Sequence, residues 1–271
     1  PKSGNTWFRV FLSNLMLRKD KAVNINELYN TPIASSRLIF DNISAVMSSE
    51  LNFDEIDVLR PEIFRELSKE NNETIFHKNH DAYTNNIEDK PIFPPAVTKG
   101  AIYFIRNPLD VAISYAHHSA ITIDKSVKSL TNEKHALCAG EKKLANQLRQ
   151  RLLKWEQHVY SWLNNKYFPV HIVKYEDMKL NTFNTFKKAV KFAELNYSDE
   201  DIKKALAKSS FKELKKQEEE AGFKEKALKS EKFFRKGEIG EWKNTLTKEQ
   251  IDKIIKANAK AMEEFGYLPK L

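Results

Sequence analysis

Apolar residues recur at helical spacing from Trp7 to Leu17, and the spacing predicts a helix packed on a sheet. Ala101 to Ile105 is instead a continuous apolar run, as in a buried parallel strand, and Asn107-Pro108 after it offers an N-cap and a first helical residue. Val170 to Tyr175 reads as another strand and Thr74 to Lys78 as a short one. Helices are expected over Phe53 to Leu67 with an interruption at Pro61, and over Leu137 to Trp162 as one long element. Further helices are expected over Thr182 to Ala193, Asp199 to Lys208, Ser210 to Glu220 and Thr247 to Phe265, while Asn24 to Arg37 reads as loop with short helical pieces. Strands alternating with helices predict an α/β fold: a single domain with a central parallel sheet flanked by helices and ligands at the strands' carboxyl ends.

With 271 residues and a hydrophobic fraction of 41%, the chain can bury a sizeable core, and no linker or repeat divides it. The net charge of +8 favours anions: nucleic acid, an anionic membrane or a phosphorylated small molecule. The lone Cys138 excludes an intrachain disulfide and is compatible with a reducing, cytoplasmic setting. No apolar stretch approaches the roughly 20 residues that cross a bilayer.

Three segments carry candidate chemistry. The opening Pro1-Lys2-Ser3-Gly4-Asn5-Thr6-Trp7 presents backbone N–H groups at a helix N-terminus, with Gly4 allowing close approach and Lys2 and Thr6 adding donors: a P-loop-like anion cradle. Its lysine precedes the glycine, so it is not the magnesium-nucleotide loop. Such a loop needs a strand before it, so one is expected upstream of Pro1. Arg106, at the end of a buried strand, and Ser114 can form a phosphate clamp; alternatively Arg106 pairs with Asp110, which completes a helix cap. Phe233 to Asn244, with adjacent Arg235 and Lys236 and the glycines Gly237 and Gly240, is a flexible basic turn suited to a second phosphate, its flanking aromatics able either to anchor the loop or to cover a purine. His117-His118 lacks ligand partners at metal spacing and reads as a helix end; no metal site is expected.

Taken together, P-K-S-G-x-T-W, R-N-P-x-D-V-x-x-S and R-K-G-x-x-G-x-W-K-N occur in that order, and the whole chain resembles the cytosolic-type sulfotransferases, which use 3′-phosphoadenosine 5′-phosphosulfate (PAPS). The resemblance implies that Lys2, Ser3, Gly4, Asn5 and Thr6 hold the 5′-phosphosulfate. It implies that Trp7, Tyr175, Ser209, Phe211 and Phe234 surround the adenine, and that Arg106, Ser114, Arg235, Lys236 and Gly237 grip the 3′-phosphate. A K-x-H motif matches Lys78-Asn79-His80, which makes His80 the general base and Lys78 a catalytic cation; His77 is the competitor. Asn5, Ser209 and Glu241 depart from the commoner threonine, threonine and aspartate, and the family's dimer motif is only echoed, which leaves the oligomeric state open.

The implied reaction is in-line sulfuryl transfer to a hydroxyl or amine of a small-molecule acceptor, leaving adenosine 3′,5′-bisphosphate, with Lys2 and Lys78 stabilising developing charge. Two rivals remain. A P-loop kinase or nucleotide hydrolase would need carboxylate magnesium ligands and the opposite lysine order. A non-catalytic nucleotide- or nucleic-acid-binding protein gains from the charge, yet no nucleic-acid motif is present. The segments 81–100 and 119–147 have no readable pattern and are expected to shape the acceptor pocket.

Overall fold

A computed structural model of the chain describes residues 1–70, 73–140, 144–227 and 230–269. The opening loop leads into α1 (Asn5–Leu17), followed by α2 (Arg37–Ser44), α3 (Phe53–Glu70), β1 (Ala101–Ile105), α4 (Pro108–Ser119) and α5 (Ile123–Thr131). The short strands β2 (Ala136–Leu137) and β3 (Gln150–Arg151) precede α6 (Trp155–Leu163) and β4 (Val170–Lys174). The remainder is helical: α7 (Tyr175–Leu180), α8 (Thr182–Phe192), α9 (Asp199–Lys208), α10 (Phe211–Ala221) and α11 (Lys248–Glu264). The chain forms two compact units, one of Pro1–Thr31, Ile102–Thr131 and His171 onward, the other of Pro32–Ala101 and Asn132–Val170.

In the first unit, β1 and β4 are neighbouring strands of one sheet. α1 buries Phe8, Val10, Phe11, Leu12 and Leu15, and each fully buried side chain of this size is worth about 1.5–3 kcal/mol. Phe186 from α8 meets Phe11 edge-on at 4.7 Å and Phe8 at 5.5 Å. A second apolar cluster joins Val10, Val23, Ile25, Leu214, Phe223 and Phe234, with Trp7, Phe211 and Phe233 packed against it. At the head of α4 the Asn107 side chain accepts from Leu109 N at 3.0 Å and Pro108 takes the first helical position, as the sequence indicated. β4 passes into α7 without a loop, because Tyr175 already opens the helix.

The second unit corrects three expectations. Pro61 does not interrupt α3, which runs unbroken from Phe53 to Glu70. Proline has no N–H to give the carbonyl four residues back, so Asp57 O loses its helical donor. Asn86 replaces it, donating from Nδ2 to Asp57 O at 3.3 Å. Thr74 to Lys78 forms no strand: a single parallel bridge joins Lys78 to Ile33, with Lys78 N donating to Pro32 O and Ala34 N to Lys78 O, each at 2.8 Å.

The helix expected over Leu137 to Trp162 begins only at Trp155. Residues 141–143 of that span lie outside those described, and Leu137 and Gln150 pair as β2 and β3. The buried positions Leu148, Gln150 and Leu152 alternate with more exposed ones, the period of an extended chain. That alternation was hidden because Leu144, Leu148 and Leu152, each four apart, also satisfy a helical count.

Among the described residues no helix is long and apolar enough to cross a membrane.

Candidate active site

The first unit gathers the residues expected to hold a nucleotide. Gly4 caps α1 with φ of 100°, a left-handed conformation natural to glycine. A Cβ there would stand 2.9 Å from Met178 Sδ and 3.0 Å from the Tyr175 ring, so the loop can turn only because that carbon is missing. Lys2 also has positive φ, at 62°, and its ammonium lies 3.9 Å above the centre of the Phe233 ring. Ser3 Oγ donates to Pro1 O at 3.5 Å, and Thr6 Oγ1 donates to Asn5 Oδ1 at 3.2 Å. Asn5 thus occupies the hydroxyl of its neighbour in place of supplying one.

Arg106 ties this loop to the late basic turn. Its guanidinium donates to Lys2 O at 3.3 Å and to Glu238 O at 2.7 Å. It lies 4.2 Å over the Tyr175 ring, and only 6% of the residue is exposed. The pairing with Asp110 left open by the sequence is replaced by another arrangement. The Asp110 carboxylate accepts from Gly240 N at 2.7 Å and Trp242 N at 3.1 Å, and so fixes the end of the basic turn onto α4. Ser114 is half-buried one helical turn beyond Asp110.

The basic turn itself is held from both sides. Tyr175 OH donates to Gly237 O at 3.0 Å. Burial pushes the Tyr175 phenol up, against the lowering influence of Arg106. Gly237 has φ of 65°, and a Cβ would meet the Phe211 ring at 3.1 Å. Glu241 pairs with Arg235, and with Lys236 at 3.1 Å. Burial raises the Glu241 carboxyl, but hydrogen bonds from the two cations outweigh it and hold the group below its ordinary value. His117 sits lower than usual, from burial and then from Arg235, while His118 meets the Phe233 ring edge-on at 5.5 Å. Both lie in the last turn of α4, as expected for helix-end residues.

Trp7, Phe211 and Phe234, three of the aromatic residues expected around the adenine, share one cluster. Phe211 and Phe234 meet edge-on at 6.3 Å, and Trp7 packs on Phe186 at 5.3 Å with its indole Nε1 buried and without a hydrogen-bond partner. Ser209 is fully buried and its hydroxyl donates to Ala205 O at 2.9 Å, one turn back in its own helix.

Sequence reasoning missed three contributors. Lys179 holds its ammonium 5.4 Å from the Phe211 ring and 6.0 Å from the Trp7 ring. It lies in α7 one helical turn after Tyr175, so looking four residues beyond that tyrosine finds it. Met178 forms the wall behind Gly4. Glu218 accepts from Phe233 N at 2.6 Å and Phe234 N at 2.9 Å, anchoring the aromatic start of the basic turn. No sequence signal singles it out among three consecutive glutamates.

The second unit carries Lys78 and His80. His80 is half-buried, and its carbonyl stands 3.1 Å from His158 Nε2. Asp81 is fully buried and accepts from Arg60 Nη2 at 2.8 Å, Arg60 Nη1 at 3.3 Å and Arg151 N at 3.0 Å. The competitor His77 packs edge-on against Phe64 at 5.6 Å, and burial lowers its pKa. An open cleft of about 590 Å³, lined by Tyr83, Gln157, Tyr160, Asn165 and Tyr167 among others, lies on the same unit. Among the described residues no group of three or more His, Cys, Asp or Glu gathers as metal ligands would.

A family model described as "Sulfotransferase domain" matches residues 1–266. The chain is 23% identical over 269 residues to cytosolic sulfotransferase 12 of Arabidopsis thaliana, covering 96% of this chain and 75% of that protein. It is 29% identical over 174 residues to an amine sulfotransferase of Oryctolagus cuniculus, covering 60% of this chain and 54% of that protein. It is 30% identical over 170 residues to sulfotransferase 2A2 of Rattus norvegicus, covering 60% of this chain and 56% of that protein. The chain thus matches just over half the length of these two mammalian relatives. Among solved structures, mouse sulfotransferase SULT7A1 complexed with PAP aligns with a TM-score of 0.56 at 21% identity, covering 98% of this chain and 86% of that one. Retinol dehydratase in complex with androsterone and the inactive cofactor PAP aligns at 0.62 and 16%, covering 97% and 79%. These structures establish the fold: α/β, with parallel strands carrying helices. With its site motifs in order and the family model spanning nearly all its length, the chain belongs to the sulfotransferase family.

Proposed function

We propose that this protein transfers the sulfuryl group of PAPS to a hydroxyl or amine of a small-molecule acceptor. The observation that carries the reading is the Arg106 guanidinium, which donates to Lys2 O and to Glu238 O together. It brings the loop assigned to the 5′-phosphosulfate and the turn assigned to the 3′-phosphate to one side chain. A doubly phosphorylated adenosine has anions of this kind at two ends, whereas a simple triphosphate does not.

In the proposed reaction the acceptor oxygen or nitrogen attacks sulfur as the bond from sulfur to the 5′-phosphate oxygen breaks. Adenosine 3′,5′-bisphosphate leaves, and His80 takes the acceptor proton; positioned bases typically contribute about 10²–10⁴-fold. Charge accumulates on the departing phosphate oxygen, where the N–H groups heading α1, with Lys2 and Lys78, oppose it. Arg106, Ser114, Arg235, Lys236 and Gly237 hold the 3′-phosphate, and Trp7, Tyr175, Ser209, Phe211 and Phe234 the base.

The experiment is an acceptor panel of phenols, alkanols, sterols, amines and sugars with isotopically labelled PAPS, read by mass spectrometry. Label on an acceptor together with release of adenosine 3′,5′-bisphosphate is the expected result. Release of inorganic phosphate from ATP instead, with no labelled acceptor, would point to the hydrolase alternative.

A further inference from the structure

The segment carrying His80 has no regular secondary structure, yet the peptide unit that follows His80 is held at both ends. Its carbonyl lies 3.1 Å from His158 Nε2. Its N–H, belonging to Asp81, donates to Asn79 Oδ1 at 2.9 Å. A peptide unit is planar and contains the preceding Cα, so fixing its oxygen and its hydrogen also fixes where the Cα of His80 stands. The next peptide is held as well: Asp81 O accepts from Trp162 Nε1 at 3.0 Å and Asn79 Nδ2 at 3.2 Å, and Ala82 N donates to Arg151 O at 2.7 Å. The buried Asp81 carboxylate anchors the far side through Arg60.

Within this arrangement His158 is a buried histidine to which the proposed chemistry assigns no step. A carbonyl oxygen only accepts, so the contact requires the proton on Nε2. Burial lowers the His158 pKa to about 4, so the ring is neutral at neutral pH and can present a single Nε2–H donor.

We propose that His158 is a positioning residue for the proton transfer: its Nε2–H, donated to the His80 carbonyl, sets the backbone from which the His80 imidazole works. The inference rests on the reading of His80 as the base and acts through it, without contact between His158 and the reacting atoms.

The test compares His80→Ala, His158→Phe and His158→Gln, each checked for cooperative unfolding. Turnover is measured with the acceptor that reacts fastest in the panel, and the His80 imidazole is followed by NMR with adenosine 3′,5′-bisphosphate bound. Glutamine places an amide Nε2–H at similar reach, while phenylalanine fills the space without a donor. His80→Ala should abolish turnover. His158→Phe should lower kcat by about 10–100-fold, in keeping with small misplacements of catalytic groups, at a KM for PAPS within about twofold of wild type. It should also split or broaden the His80 ring signals, and His158→Gln should restore one set of signals and most of kcat. Equal kcat and equal His80 spectra in the Phe and Gln variants would overturn the positioning role while leaving His80 as base. Undiminished turnover in His80→Ala would instead overturn the base reading. If His158→Phe does not fold, Asn79→Ala opens the other end of the clamp at a half-buried position. The same kcat loss is then expected, and an unchanged kcat contradicts the proposal.

Discussion

The Arg106 guanidinium donates to the backbone carbonyl of Lys2 at 3.3 Å, which joins the end of β1 to the opening loop, the one assigned to the phosphosulfate. Because the same group reaches Glu238 O and covers the Tyr175 ring, its planar fork makes several contacts at once. A lysine ammonium keeps the charge but not the fork. Arg106→Lys is therefore expected to weaken adenosine 3′,5′-bisphosphate binding about 10–100-fold, or about 1.4–2.7 kcal/mol, measured by calorimetry. Unchanged affinity would remove Arg106 from the account.

Glu241 spends the charge of Arg235 and Lys236 internally before any ligand arrives. Glu241→Gln keeps an acceptor oxygen for Arg235 but releases one net positive charge. The variant should bind adenosine 3′,5′-bisphosphate several-fold more tightly at low ionic strength, with the gain fading as salt screens the site. Titrations at two salt concentrations check this; weaker binding at both would mean that Glu241 serves chiefly to orient the cations.

Gly4→Ala places a methyl against Met178 and Tyr175 in a backbone conformation that L-residues resist. The strain alone costs about 1–2 kcal/mol. The expected outcome is a lowered denaturation midpoint together with a larger fractional loss of nucleotide affinity than of stability, because the displaced N–H groups are those assigned to the phosphosulfate.

The fold was legible where a single period dominated. Ala101 to Ile105 appears as β1 within its expected bounds, and Asp199 to Lys208 as α9. In α9 the Ser198 and Asp201 side chains form a reciprocal capping box. Reading failed where partners distant in sequence override local pattern: Pro61 is tolerated because Asn86 supplies the missing donor, and Leu148 to Leu152 is extended because Ala136 and Leu137 pair with it. At the candidate site, motif order singled out the cations assigned to the nucleotide, while the acids that hold the basic turn in place were harder to see. Asp110 was visible only as an alternative partner of Arg106, whereas it accepts from Gly240 and Trp242, and Glu218 lies in an ordinary charged helix.

His158 makes a prediction about stability and pH. Its folded pKa of about 4 lies below the ordinary histidine value of 6.5, so the unfolded chain takes up a proton first as pH falls. The associated stability is fully present above pH 6.5 and is lost progressively towards pH 4, a span worth on the order of 3 kcal/mol. His77 and His171 are also lowered by burial and act in the same direction. Denaturant unfolding from pH 7.5 to 4.5 should therefore show a shallower decline for His158→Gln than for the wild type. Parallel curves would mean that His158 titrates as an exposed histidine.

Breaking the buried pair between Arg60 and Asp81 removes the anchor beneath the His80 segment. Asp81→Leu leaves the Arg60 guanidinium buried with Asp57 as its remaining carboxylate partner at 3.5 Å. A loss of about 3–5 kcal/mol is expected from equilibrium denaturation, and a change under about 1 kcal/mol would show that the interior re-solvates the arginine readily.

The most direct measurement is a calorimetric titration of adenosine 3′,5′-bisphosphate into the protein in magnesium-free buffer, run beside Arg235→Ala and Lys2→Ala. One saturable site is predicted, weakened by each substitution at the opposite ends of the nucleotide. Absence of saturable heat, or binding indifferent to both substitutions, would contradict the assignment of these two segments to a single bisphosphorylated nucleotide.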